Sequence, residues 1–564
     1  MSNLPAFRAE LARQQLDGFI VPHADEYQNE YMPAGNERLA WLTGFTGSAG
    51  LAIVTAERAA LFADGRYTLQ AATQSPDYEQ YHLITAPPET WLRENAQGLA
   101  MGYDPWLFTP RQLEKLAESG VALQPVAANP IDAIWVDRPA PPATPIVPHD
   151  PAYAGETSRE KRQKIIANLA ADAVAITDPA SIAWLLNVRG GDVPCVPLPL
   201  SRVILYRDGR VDWFVNPAKL TQCHLDDVTV RLEADFLAAV QAMPGIVQLD
   251  PASAPVALFQ AREAAAIHQA GDPCTLPKAC KNEAELAGMR VAHVRDGAAL
   301  AGFFTWLVQQ ETATLTELAI IDKLASFRAR SNLSRGPSFE TIAGSGPNGA
   351  IVHYRADAAS NRTLSDGFLL LDSGGQYLDG TTDITRTIPI GVLTADQRRM
   401  FTLVLKGHIA LATARFPKGT TGAQLDVLAR QFLWQAGKNY DHGTGHGVGS
   451  YLSVHEGPQG ISARAHTVAL QPGMIVSNEP GYYEAGEYGI RIENLIAVYE
   501  AADCYLEFET LSLAPIAREA IEVDLLTEAE RDWLNAYHAR VRETLLPLLG
   551  RDEAAWLEEA TEPV

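Results

Sequence analysis

The stretch Gly367–Thr387, GFLLLDSGGQYLDGTTDITRT, decides how the rest of the chain is read. Its apolar run Phe368–Leu371 reads as a buried strand. Asp372 ends that run, the pair Gly374-Gly375 turns the chain, and Asp383 stands on the return strand eleven residues later. A strand, a turn and a return strand of this length can bring both carboxylates onto one face, a few ångströms apart. Two unpaired anions that close repel and raise one pKa, and a divalent cation removes the conflict.

A second pair of acids repeats the arrangement. Glu479 in VSNEPGYY and Glu493 in GIRIENL are fourteen residues apart, with a Gly-Tyr-Tyr turn region and the strand Gly489–Ile492 between them. Arg491 and Glu493 alternate with Ile490 and Ile492, which places both polar side chains on one strand face. Carboxylates in such apolar surroundings are costly unless something cationic pairs with them.

The segment Asp441–Gly449, DHGTGHGVG, holds four glycines in nine residues and is no comfortable helix. His442 and His446 project from it, His455 follows a strand expected at Tyr451–Val454, and His353 lies upstream in AIVHY. Four acids and an imidazole suit Mn²⁺, Co²⁺ or Zn²⁺ rather than a thiolate-type structural zinc site. They suffice for two metals a few ångströms apart with two carboxylates bridging, and a hydroxide shared by such metals is a nucleophile near neutral pH.

Competing signals are weaker. Gly344–Gly349 formally reads GxGxxG, but the strand-like AIVHY follows it, with Pro347 and Asn348 where a helix should begin. No HExxH, Walker A or GxSxG pattern occurs.

Length and composition bound the rest. The chain has 564 residues, enough for three or four domains. Its 47% hydrophobic and 20% charged residues are ordinary for a soluble globular protein. With 45 Lys and Arg against 68 Asp and Glu, the net charge of −23 repels phosphate backbones and anionic lipid heads. Neither nucleic-acid nor membrane partners are expected. Five cysteines without a CxxC pair argue for a reducing compartment. No apolar h-region opens the chain, and no apolar stretch approaches the ~18 residues of a membrane span. A cytoplasmic protein is the expectation.

An internal repeat organises the first half. Residues 7–66 run from an amphipathic helix through GFIVP, RLAWLTGF and LAIVTAERAALFA to Asp64-Gly65-Arg66. Residues 160–214 repeat that order, with Asp208-Gly209-Arg210 as the matching turn, so two α/β domains of one topology are expected. The Pro-rich stretch 137–155 reads as a semi-rigid linker. Asn282 with Glu285 reads as a capped helix start, and helices are expected over 282–310, 316–330, 395–414 and 422–436. The last ~60 residues should begin with a strand, continue in helices and end in a frayed acidic tail.

GSGPNGAIVHY, LLLDSGGQYLDGTTDITRT, DHGTGHGVGSYLSVHEGP, NEPGYY and YGIRIEN, in this order and spacing, resemble the pita-bread-fold metallopeptidases. Among them the chain is most similar to the long, three-domain Xaa-Pro aminopeptidase (aminopeptidase P) family. The resemblance implies two creatinase-like α/β domains, at residues 1–150 and 151–280. A pita-bread catalytic domain over 281–564 would follow, with a C-terminal extension from about 503. It implies Asp372, Asp383, His446, Glu479 and Glu493 as ligands of two divalent metals, usually manganese, with Asp383 and Glu493 bridging. Asp372 would complete one metal, and His446 and Glu479 the other. It further implies that His455 and His353 orient the substrate carbonyl, that His442 shapes a proline pocket, and that Arg491 supports the metal-site network beside Tyr483. The implied reaction is release of the first residue from peptides with proline second, through a metal-bridging hydroxide, with Glu479 carrying the proton. A homodimer is the family expectation. Prolidase is the main rival, methionine aminopeptidase and creatinase fit less well, and a non-catalytic peptide-binding module is the alternative of another class.

Overall fold

The computed structural model describes residues 3–463 and 467–564. The chain divides into two compact units, residues 1–151 with 156–275, and residues 152–155 with 276–564.

The first unit holds two six-stranded sheets of one strand order. In space the first runs Glu79–His82, Ala59–Ala63, Gly50–Thr55, Gly18–Pro22, Ala100–Tyr103, Ala122–Pro125. The second runs Thr229–Arg231, Val211–Phe214, Arg202–Tyr206, Ala173–Ile176, Val247–Leu249, Ile267–Gln269. In both, antiparallel pairings at the centre give way to parallel ones at the edges. The repeat therefore reflects a shared topology, but the Asp-Gly-Arg turns are not equivalent. Asp208-Gly209 closes a hairpin between Arg202–Tyr206 and Val211–Phe214, with Gly209 at φ 93°. Asp64-Gly65 instead leads from a strand into the helix Thr68–Gln74. The matching hairpin in the first sheet turns between Thr55 and Ala59, without an Asp-Gly pair.

In the second unit the helix Glu283–Val308 starts as expected. Asn282 Oδ1 accepts from the Glu285 N–H, and the Glu285 carboxylate accepts from the Asn282 N–H, each over 3.0 Å. Helices follow at Glu317–Arg328, Ala395–Ala412 and Gly422–Gln435. Strands Ile342–Ser345, Gly367–Ser373 and Ile384–Ile390 form one antiparallel sheet. A six-stranded sheet carries Gly445–Gly447, Glu456–Ile461, Ile475–Asn478, Asn494–Glu500 and Tyr505–Thr510, with the short Phe416–Pro417 at its edge. Gly481–Glu484 and Tyr488–Arg491 form a separate hairpin.

The Phe368–Leu371 stretch of the Gly367–Ser373 strand is apolar because it is covered on both faces. Leu369 and Leu371 pack with Phe303, Leu307, Ile320 and Leu324, while Phe368 packs against Phe401 and Val404. Gly374 must be glycine, since a Cβ there would meet the Thr382 carbonyl and Ser338 Oγ.

Further local expectations fail. Gly374-Gly375 does not turn the chain, which continues as the strand Gly375–Tyr377 and turns at Leu378-Asp379, and Asp383 stands just before the return strand. Tyr451–Val454 forms no strand; the chain bends through His455 and enters a strand at Glu456. Residues 351–354 of AIVHY form a turn after a short 3₁₀ segment, because Gly346 (φ 54°) and Pro347 curl the backbone away from a sheet. The C-terminus is not frayed: after the helix Arg551–Ala560, the Val564 N–H donates to Asn535 Oδ1 and the Thr561 carbonyl accepts from Arg542.

Candidate metal centre

Strands of the second unit, or the residues flanking them, deliver four acidic residues and one histidine. Asp372 lies inside the Gly367–Ser373 strand, in register with Thr385 of the strand beside it. Asp383 immediately precedes that neighbouring strand, Ile384–Ile390. Glu479 follows Ile475–Asn478, and Glu493 sits where the hairpin ending at Arg491 joins the strand from Asn494. His446 is held in Gly445–Gly447, whose close approach to the Ser477 carbonyl leaves no room for a Cβ at Gly445.

Single ligand atoms of Asp383, His446 and Glu493 lie within 4.8 Å of one another. His446 Nε2 is 3.5 Å from both Asp383 Oδ2 and Glu479 Oε1, so Glu479 joins the same cluster. Asp372 is tied in by Arg491, whose Nη2 donates to Asp372 Oδ2 over 2.6 Å. Arg491 also donates to Tyr483 Oη at 2.6 Å, to Thr385 Oγ1 at 3.3 Å and to the Val352 carbonyl at 3.3 Å. Thr385 Oγ1 in turn donates to Glu493 Oε2 over 2.7 Å.

The histidines flank this group. The His455 ring stands edge-on to His446, with centroids 4.3 Å apart. His442 packs beside Tyr440 and Tyr483, its Nε2 2.9 Å from Tyr483 Oη and its Nδ1 4.0 Å from Glu479 Oε2. His353 occupies the turn directly after Val352, the residue whose carbonyl Arg491 holds.

The electrostatics are those of an anion cluster short of cations. Burial, then the charges of Asp383, Asp372 and Glu479, push the Glu493 carboxyl well above its usual range. Burial also raises Asp372 and Glu479, against the pull of Arg491 and His446. Burial opposes a charge on His446, yet its hydrogen bond to Asp383 and the Glu479 charge raise it to about 9. Asp372 Oδ1 and Asp383 Oδ1 are buried with no hydrogen-bond partner among the described residues. Native proteins rarely bury a carboxylate oxygen that way. Five O and N donors with orphaned oxygens fit divalent cations that prefer hard ligands.

Two groups escaped the sequence reading. Thr385 stands two residues after Asp383 and so shares its strand face, a signal that the alternation in DITRT already carried. Lys278 and Lys281, which clamp the buried Glu456 next to His455, left no local signal because they lie more than 170 residues away.

A buried cluster of carboxylates and one histidine at the heart of this fold defines a metal-dependent hydrolase. The sequence profile of metallopeptidase family M24 matches residues 287–500, and the profile for the C-terminal region of that peptidase matches 504–564. Creatinase/prolidase N-terminal domain profiles match residues 4–134 and 137–285. A Talaromyces marneffei protein named "Probable Xaa-Pro aminopeptidase P" is 40% identical over 608 aligned positions, which cover 100% of this chain and 92% of that protein. An Aspergillus niger protein of the same name is 39% identical, with 100% and 98% covered. Among solved structures, the X-prolyl aminopeptidase of Caenorhabditis elegans, described as a cytosolic enzyme with a di-nuclear active site, superimposes with a TM-score of 0.95. It is 33% identical, with 100% of this chain and 99% of that one covered. The chain belongs to metallopeptidase family M24. Its architecture is two creatinase-type α/β domains followed by a pita-bread catalytic domain and a short C-terminal region.

Proposed function

We propose that the chain is a metal-dependent Xaa-Pro aminopeptidase that removes the N-terminal residue from peptides with proline in second position. The observation that carries this reading is the end-to-end likeness to enzymes bearing that name, combined with the clustering of Asp383, His446 and Glu493 and the contact of Glu479 with His446. Likeness to the prolidase of Pyrococcus horikoshii, at 24% identity and 64% of this chain, speaks for the fold alone.

We take Asp372, Asp383, His446, Glu479 and Glu493 as the ligands of two divalent cations, with Asp383 and Glu493 shared. Mn²⁺ is the proposed metal, with Zn²⁺ or Co²⁺ as alternatives that the same donors accept. When bound, the cations supply Lewis-acid polarisation of the scissile carbonyl and a water acidic enough to attack near neutral pH. The chain's own residues do the rest. Glu479 holds a proton on its way to the proline nitrogen, with Ser477 Oγ donating to its Oε1 over 3.0 Å. His455 and His353 orient the carbonyl and stabilise the charge that develops on its oxygen. His442, fixed by Tyr483 and by its Nδ1 contact to the Gly443 carbonyl at 2.7 Å, walls the proline site. The Xaa-Pro bond has no N–H and a locked φ, so shape must replace the hydrogen bond that an ordinary aminopeptidase reads.

We read the domains as 1–150, 151–280 and 281–564, supported by the spacing of the profile matches. A cytosolic site of action is supported by the description of the structural relative, and no helix among the described residues is long and apolar enough to cross a membrane. The homodimer implied by the resemblance belongs to the same reading, and light scattering tests it.

Incubation with Xaa-Pro-Xaa tripeptides, an Xaa-Pro dipeptide and an Xaa-Ala control, read by mass spectrometry, tests the activity. Release of the first residue from the tripeptides, abolished by chelator, is the expected result. Cleavage confined to the dipeptide would mean prolidase, and no cleavage by folded, metal-loaded protein would mean a binding role.

A further inference from the structure

Glu479 and Glu493 are reached by two neighbouring strands, and both strands are gripped from behind by a residue outside the metal cluster. We propose that His408 is a positioning residue for the two metals, locking the Ile475–Asn478 and Asn494–Glu500 strands to the Ala395–Ala412 helix and so fixing where Glu479 and Glu493 enter the centre. The inference rests on the metallopeptidase reading above.

Asn478 and Asn494 stand directly opposite each other in the sheet. Paired residues share a face, and here both reach the His408 ring. His408 Nδ1 lies 3.1 Å from the Asn478 carbonyl, and Asn494 Nδ2 lies 3.1 Å from His408 Nε2. Asn478 Nδ2 donates back to the His408 carbonyl over 2.9 Å, so each side chain holds the other's backbone. The next residue along one strand is Glu479, and the residue before the other is Glu493. Alternation turns both away from His408 and toward His446.

The hydrogen bonds admit one form of the ring, neutral with its proton on Nδ1: that nitrogen must donate to a carbonyl, and Nε2 must accept from an amide. His408 is fully buried, and burial together with the Arg386 cation lowers it to about 3, so the required form persists at working pH. Arg386 completes the clamp. Its Nη2 donates to Asn494 Oδ1 over 2.9 Å and its Nη1 to the Glu493 carbonyl over 2.6 Å. The Trp533 ring closes the side of the imidazole, edge-on with centroids 6.0 Å apart. Metal ligands must be held within about 0.5 Å of the productive geometry, and their supports are typically worth 10–100-fold in metal affinity or activity.

The test compares Mn²⁺ binding by calorimetry, the Mn²⁺ spin-coupling signature by electron paramagnetic resonance, and kcat and KM on an Xaa-Pro-Xaa peptide. The proteins are the unaltered chain, His408→Phe, His408→Asn and the control His538→Phe. His538 is equally buried and accepts from the Ile516 N–H at 3.1 Å, and Ile516 lies outside the two strands that lead to Glu479 and Glu493. His408→Phe should lose roughly 10–100-fold in Mn²⁺ affinity, alter the coupling signature and lower kcat with KM little changed. His408→Asn, which keeps a donor near the Nδ1 position but not the acceptor for Asn494, should fall between. His538→Phe should lower the Tm yet bind Mn²⁺ like the unaltered chain. Unchanged Mn²⁺ binding in His408→Phe, or an equal loss in His538→Phe, would overturn the inference. If His408→Phe does not fold, His408→Asn decides, and unchanged binding there would overturn it too. An unaltered chain that binds no stoichiometric Mn²⁺ would instead overturn the metal reading itself.

Discussion

Arg491 Nη2 holds Asp372 Oδ2 at 2.6 Å and leaves Asp372 Oδ1 buried with no hydrogen-bond partner among the described residues. The guanidinium satisfies one half of the carboxylate and leaves the other half without a partner of its own among the described residues. The same cation fixes Tyr483 and through it His442, so the Asp372 carboxylate and the His442 ring, a metal ligand and the wall of the proline site in the proposed reading, share one support.

Arg491→Lys keeps the charge but gives up the planar fork that serves Asp372, Tyr483 and Val352 together. Turnover should fall by about 10–100-fold. Metal content after dialysis, read beside kcat and KM, checks this, and a fully active variant would sever the link between the two networks.

In the proposed assignment Asp383 and Glu493 are shared ligands, so Asp383→Ala and Glu493→Ala should each abolish both metal retention and turnover. His455→Ala should keep both metals while lowering kcat by about 10²–10³, since its proposed role is at the developing oxyanion. Elemental analysis separates the two classes, and metal loss from His455→Ala would contradict this division of labour.

Thr385 Oγ1 donates to Glu493 and accepts from Arg491. Thr385→Val preserves the shape and removes both bonds. Mn²⁺ affinity should drop about 10–100-fold with little change in Tm; competition with a fluorescent chelator measures it.

Glu456 is buried between the ammonium groups of Lys278, at 2.9 Å, and Lys281. Burial pushes its carboxyl up, but the two cations outweigh this and hold it below the usual range. A carboxyl whose folded-state pKa is depressed adds stability above its unfolded value, about 4.3, and loses it as pH falls through the folded value. Glu456→Gln, which strands two buried cations, should cost about 3–5 kcal/mol near neutral pH. It should also flatten the fall of Tm with acid below about pH 4. Thermal unfolding across pH 3–7 tests both.

What the sequence made legible follows from how local each signal is. The antiparallel pairing of the strands on either side of Asp372 and Asp383 and the capping pair Asn282–Glu285 are encoded within a few residues, and both form. The alternation through Arg491 and Glu493 does not continue along one strand, because the strand ends at Arg491 and Glu493 lies in the link to the next. The strand expected before His455 does not form, because short apolar runs do not separate a strand from a packed bend. The Asp64-Gly65 turn misled in the same way: it opens a helix where its counterpart closes a hairpin. Long-range partners such as His408 for Asn478 and Asn494, or Lys278 and Lys281 for Glu456, arise only when distant segments pack. No periodicity in one chain could expose them.

The most direct test of the central claim is anomalous diffraction at the manganese edge from crystals grown with Mn²⁺. Two peaks a few ångströms apart are expected, one among Asp372, Asp383 and Glu493 and the other among Asp383, His446, Glu479 and Glu493. A single peak, or peaks away from these five side chains, would contradict it.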